Sequence, residues 1–112
     1  MNVRCTLKKN SDFRRLYARG KSSVNRYLAV YCRRNGRGVN RMGYTVSAKL
    51  GGAVVRNRVR RRLREIYRLH EGEFRQGWDL VVVARSRAAE ATYRELEAQL
   101  IRAAGKLGLL VP

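Results

Sequence analysis

The segment VVRNRVRRRLREIYR, residues 54–68, constrains this fold more than any other part of the chain. Seven of the thirteen residues 56–68 are arginine, and Glu65 is the one acid among them. Like charges at helical spacing repel and weaken a helix. Such a segment therefore needs an apolar stripe packed on something large and a negative surface to face. At about 100° per residue, Val55, Val59, Leu63, Ile66 and His70 share one arc, with Tyr67 beside it. Arg58, Arg60, Arg61, Arg62, Arg64 and Arg68 take the remaining surface. A solvated charged helix usually mixes signs for i, i+4 pairing, which one acid cannot supply. A membrane-surface helix carries a broad face of Trp, Phe and Leu, whereas this stripe is β-branched and aliphatic and suits a sheet. Gly51 and Gly52 precede the segment, where glycine permits close backbone approach and the helix N-terminus adds partial positive charge. The pattern predicts a two-faced helix, half in a core and half against a polyanion.

The rest of the charge agrees. Of a formal +18, residues 1–64 hold 19 Lys+Arg against Asp12 alone, while residues 65–112 hold seven of each sign. Arginine outnumbers lysine 21 to 5. The guanidinium fork grips phosphate with paired hydrogen bonds, which suits nucleic acid. GC-rich codon usage accounts equally well for the ratio but not for the clustering. A length of 112 residues with 45% apolar content fits one domain, 1–112, with a single core. No apolar run approaches the roughly 18 residues of a spanning helix. MNVRCTLKKNSDF lacks a signal-peptide core, so a cytoplasmic chain is expected. Cys5 and Cys32 lack C-x-x-C spacing, and the single His70 leaves no zinc set.

The remaining segments read as alternating elements. NSDFRRLYARGK has Ser11 as N-cap, Gly20 at C′ and Phe13, Leu16 and Tyr17 at helical spacing. RYLAVYCRR reads as a strand, with Leu28, Val30 and Cys32 on one side and Tyr27, Ala29 and Tyr31 on the other. RNGRGVNR is a basic turn, and MGYTVS, residues 42–47, is expected as the hairpin partner of that strand. WDLVVVAR is apolar throughout and belongs at the sheet centre. TYRELEAQLIRAAGKL opens with a Thr92/Glu95 capping box and carries a stripe of Leu96, Leu100, Ala103, Ala104 and Leu107. The order is helix, two or three strands, helix, strand, helix: an α+β layered domain.

Two readings of the aromatics stay open. Phe13, Tyr17 and Tyr31 form either the edge of a core or a platform on which bases stack. No catalytic arrangement is evident: the basic part offers only Asp12, whereas a metal-dependent nuclease needs several converging carboxylates. His70 falls on the apolar side of its helix, a packing or capping position, and Glu71 and Glu73 read as surface acids. A ribosomal or general RNA-binding protein and a protein-only nuclease are the competing classes.

KLGGAVVRNRVRRRLRE, residues 49–65, closely resembles the signature of the bacterial ribonuclease P protein subunit, centred on Arg-Asn-Arg. SDFRRLYARGK, RYLAVYC, RMGYTVSAKLG and WDLVVVAR resemble the first helix and strands of that family. Ala48 stands where the family often has lysine, and the family's basic terminal extensions are short here. The resemblance implies an αβββαβα fold, a mixed sheet of about four strands with three helices, and a left-handed βαβ crossover carrying the arginine helix. It also implies partnership with a catalytic RNA that removes the 5′ leader from precursor tRNA, using Mg²⁺ held mainly by the RNA and substrate. No metal site, catalytic side chain or obligate protein partner is expected in the polypeptide. Carried over, Arg56, Asn57, Arg58, Arg60, Arg61 and Arg64, with Lys49 and Ser47, would contact the RNA subunit. Phe13, Tyr17 and Tyr31, with Arg14 and Lys21, would hold the leader.

Overall fold

The computed structural model describes residues 6–112, so Cys5 lies outside the described residues. The elements are α1 (Asn10–Arg19), β1 (Lys21–Val24), β2 (Leu28–Arg34), β3 (Arg41–Val46), α2 (Ala53–His70), β4 (Trp78–Ala84) and α3 (Tyr93–Lys106). Short 3₁₀ turns at Ala48–Leu50, Glu71–Glu73 and Ser86–Ala89 join the later ones. This is the αβββαβα order, an α+β domain with one mixed four-stranded sheet.

Sheet order is β1-β2-β4-β3. Strand β4 pairs antiparallel with β2 and parallel with β3. The expected hairpin between β2 and β3 is therefore wrong. Leu80, Val81 and Val82 are fully buried, on both faces of the sheet, and only a central position hides both faces. By taking that position β4 separates β2 from β3, and α2 becomes the crossover between parallel neighbours. Strand β1, which the residues alone did not single out, adds the outer edge beside β2.

Each sheet face has its own cover. On one, Leu28, Val30, Cys32, Leu80, Val82, Met42 and Val46 meet Val59, Leu63, Ile66 and Tyr67 of α2 and Leu96, Leu100, Ala103 and Ala104 of α3. On the other, Val81 packs with Leu7 and Leu16, flanked by Phe13, Tyr31 and Val83. Tyr27 was expected beside Tyr31 but precedes β2 and packs with the larger core, its hydroxyl 2.7 Å from Glu95 Oε2. The Thr92/Glu95 capping box forms as expected.

Helix α1 starts one residue before the expected Ser11 cap, with Lys9 in the cap position and no side-chain cap bond. Gly20 ends it in an extended conformation, φ −77°, rather than left-handed. Its glycine identity follows from crowding: a Cβ there would lie 2.6 Å from the Leu16 carbonyl oxygen and 2.8 Å from that of Cys32.

At the far end of α2, His70 is clamped. Nδ1 lies 2.6 Å from Glu73 and Nε2 lies 2.9 Å from Glu97, so the ring ties α2 to α3 and to the following turn. A neutral imidazole has one N–H, so donating to both carboxylates requires the imidazolium. The pKa is raised by the hydrogen bond to Glu97 first, with Glu73 adding to it against a desolvation penalty. Glu73, read from sequence as a plain surface acid, is half of this clamp.

A raised folded-state pKa gives stabilisation that is complete below the unfolded value of about 6.5 and is lost as pH rises through the folded one. Thermal melts from about pH 6 to about pH 9 should show wild type losing stability relative to His70→Ala as the ring deprotonates. Parallel curves for the two proteins would mean the clamp contributes nothing.

Candidate nucleic-acid interface

The arginine helix is oriented by its stripe. Val59, Leu63 and Ile66 are at most 1% exposed, which turns Asn57, Arg61, Arg64 and Arg68 to solvent. No carboxylate among the described residues comes within ion-pair distance of any α2 arginine. Two arginines lie closer to the protein than the wheel implied. Arg58 Nη2 is 3.3 Å from the Ala89 carbonyl oxygen, and Arg62 Nη1 is 3.4 Å from that of Ala91. These long contacts rest the guanidinium groups against the end of the 3₁₀ turn after β4 and the residues just beyond it. The Nε atoms of Arg56 and Arg58 are buried with no hydrogen-bond acceptor among the described residues. Asn57 Oδ1 accepts from Arg60 Nη1 at 3.2 Å, so the asparagine organises a neighbouring guanidinium. Ser47 and Lys49 are exposed just before the helix. Ser47 borders a depression with Arg26, Arg85 and Arg87, three arginines that the sequence pattern did not single out for a site.

On the other sheet face the three expected aromatics come together. The Tyr17 and Tyr31 rings meet edge to face, with centroids 5.0 Å apart. Tyr17 hydroxyl is 3.1 Å from Thr45 Oγ1, which holds the ring across the sheet. Phe13 lies on Gly43, where an added Cβ would fall 2.8 Å from the ring. Phe13 and Tyr31 are half-buried and Tyr17 is 42% exposed, so the cluster is packed below and open above. The sequence alternatives, core edge and stacking platform, are both partly realised.

Arg14 is exposed on α1. Lys21 is not brought to this cluster. It pairs with Cys32, whereas Ser22 pairs with Tyr31, and cross-strand partners share a face. The Lys21 side chain therefore leaves the sheet on the side away from Tyr31.

The two surfaces meet at the edge strand. Arg60 and Arg64 reach past β3 and border a depression of about 360 Å³ with Phe13, Gly43 and Tyr44. Tyr44 itself is strongly desolvated, its hydroxyl has no hydrogen-bond partner among the described residues and its pKa is pushed well up, chiefly by burial. A chain of phosphates and bases lying on Phe13 would thus come within reach of arginines from α2.

An open aromatic groove beside a helix whose arginines have no carboxylate partner among the described residues is the surface of an RNA-binding protein. The family model described as Ribonuclease P matches residues 1–108. A ribonuclease P protein component of Alkaliphilus oremlandii is 42% identical over 104 residues, covering 93% of this chain and 91% of that protein. One from Caldanaerobacter subterraneus is 50% identical over 91 residues, covering 81% and 78%. The solved RNase P protein of Staphylococcus aureus superposes with a TM-score of 0.88 at 33% identity, covering 96% of this chain and 98% of the other. That of Thermotoga maritima gives 0.80, also at 33% identity, covering 87% and 92%. The chain belongs to the bacterial ribonuclease P protein family.

Gly43→Ala tests the packing under the groove. The new methyl must displace Phe13, an overpacking change that typically costs ~1–3 kcal/mol. Chemical denaturation should register that loss, while Gly38→Ala, in open space, should leave stability nearly unchanged. Equal effects would show that Phe13 is free to move aside.

Proposed function

We propose that this chain is the protein subunit of a ribonucleoprotein ribonuclease P, which acts in the cytoplasm and removes the 5′ leader of precursor tRNA. In this reading α2 docks on the catalytic RNA through Arg56, Asn57, Arg58, Arg60, Arg61 and Arg64, with Lys49 and Ser47 beside them. Phe13, Tyr17 and Tyr31, with Arg14, hold the single-stranded leader. The observation that carries the reading is the unpaired arginine face of α2, joined past the β3 edge to the aromatic groove. One protein can thereby touch a folded RNA and a single strand at the same time. Guanidinium groups without internal carboxylate partners keep their hydrogen-bond donors for phosphate. Each base stacked on an aromatic side chain can contribute ~1–3 kcal/mol.

In this reading the chemistry belongs to the RNA, and Mg²⁺ bound there would supply the metal-assisted activation that phosphodiester hydrolysis needs. Mg²⁺ is held mainly by the RNA subunit and the substrate in this reading. The carboxylates nearest the groove, Asp12 and Asp79, both face Arg41, at 3.8 and 2.6 Å. No three His, Cys, Asp or Glu among the described residues form a metal-binding group.

Protein alone, RNA alone and the mixture, each given precursor tRNA at low Mg²⁺, decide the central claim. The pair should cleave far faster than RNA alone, and protein alone should not cleave. Cleavage without RNA would make the chain a nuclease in its own right. Binding with no gain in processing would leave a general RNA-binding protein.

Single substitutions separate the two surfaces. Arg61→Ala should weaken assembly with the RNA subunit and flatten its salt dependence by up to ~1 counterion. Tyr31→Ala should weaken binding of precursor by about tenfold, the low end of a lost stack, and spare mature tRNA. An unchanged salt slope, or equal losses on both tRNAs, would count against the division of labour.

A further inference from the structure

A second cationic depression lies on the groove face, across α1 from the aromatics. On the helix wheel Leu16 points into the sheet, Phe13 and Tyr17 fall to one side, and Asp12 and Arg15 fall to the other. That other side looks onto a depression of about 370 Å³ between α1, the end of β2, the turn after it and the start of β3. Arg33 marks the place within the sheet. It follows Tyr31 by two residues on the same face, roughly 7 Å further along the strand, and pairs with Asp79, whose other neighbour is Arg41.

Six cations border the depression, Lys9, Arg15, Arg33, Arg34, Arg37 and Arg41, against two carboxylates, Asp12 and Asp79. Both acids are spent on the floor. Arg41 grips Asp79 through Nε at 2.8 Å and Nη2 at 2.6 Å, with Asp12 at 3.8 Å on the same nitrogen. Arg34 is stacked over Trp78, 5.4 Å from the ring centre. Lys9, Arg15, Arg33 and Arg37 remain, and no carboxylate among the described residues pairs with any of them.

The turn that presents Arg37 is built rather than loose. Asn35 Nδ2 donates to Asp79 Oδ1 at 3.0 Å and to the Val39 carbonyl at 3.1 Å, and its Oδ1 accepts from the Arg37 N–H at 2.8 Å. Asn40, 3% exposed, anchors the far end of the turn. Its Nδ2 donates to the Arg75 carbonyl at 2.9 Å, and its Oδ1 accepts from the Trp78 N–H, also at 2.9 Å. Like charges held together by a fixed turn cost stability unless an anion comes between them. Guanidinium forks select oxyanions of phosphate geometry.

We propose that this depression is a second phosphate-binding site, separate from the arginine helix and from the aromatic groove, which takes backbone phosphates of RNA. The inference deepens the ribonuclease P reading and rests on it for which RNA is bound. Phosphates of a leader longer than the groove, or of the RNA subunit, present the same chemistry.

The test uses Arg15→Ala/Arg37→Ala, which leaves the Asp79–Arg41–Asn35 floor intact, and the charge-keeping Arg15→Lys/Arg37→Lys. Both are checked first for unchanged melting. In the reconstituted holoenzyme, affinity is measured for precursors with short and with progressively longer leaders, and assembly with the RNA subunit is titrated across salt. The alanine pair should lose about tenfold in affinity, lower the salt slope by ~1–2, and be largely rescued by the lysine pair. Loss confined to long leaders assigns the leader; loss in assembly assigns the RNA subunit. Wild-type behaviour in both arms overturns the site. If wild type itself fails to assemble, the preceding reading falls instead. The depression is then decided by titrating free protein with a single-stranded oligonucleotide, which the alanine pair must bind more weakly for the site to stand.

Discussion

The burial of β4 on both faces is the constraint from which the rest follows. A strand centred on Leu80, Val81 and Val82 has no solvated side to offer, so the sheet needs cover above and below. Burying each such side chain contributes ~1.5–3 kcal/mol, enough to outweigh the repulsion among arginines packed on the covering helix. Helices α2 and α3 close one face, and α1 with Leu7 closes the other more thinly. The thin cover leaves the groove.

That arrangement explains how one small sheet carries two surfaces of different chemistry. Arginines on α2 are pushed outward because their helix's other side is consumed by the core. Aromatics on the α1 side remain half-open because a single ten-residue helix cannot cover four strands. The surfaces face different directions yet meet where Arg60 and Arg64 pass the β3 edge. The carboxylates on the groove side, Asp12 and Asp79, are turned inward on Arg41, away from the other cations of this side.

Polar networks brace this frame at both ends. Asn40 links the turn after β2 to the start of β4, and His70 links the end of α2 to α3. Both are side chains whose role depends on partners more than 25 residues away in sequence. Neither asparagine nor a lone histidine announces such a role locally.

What the chain alone determined is periodic or compositional. The stripe of Val59, Leu63 and Ile66, the apolar run of β4, the capping box at Thr92 and the unpaired arginines were legible because each depends on neighbours a few residues apart. The aromatic trio was legible only as a choice between two readings. Strand order was not, since the expected pairing of β2 with β3 rested on adjacency and ignored the competition of a more apolar strand for the centre. The facing of Lys21, the inward lean of Arg58 and Arg62, the clamp on His70 and the cationic depression around Arg33 and Arg37 were likewise beyond reach. Each is set by register or by contacts between distant segments, and those exist only once the chain has closed into layers.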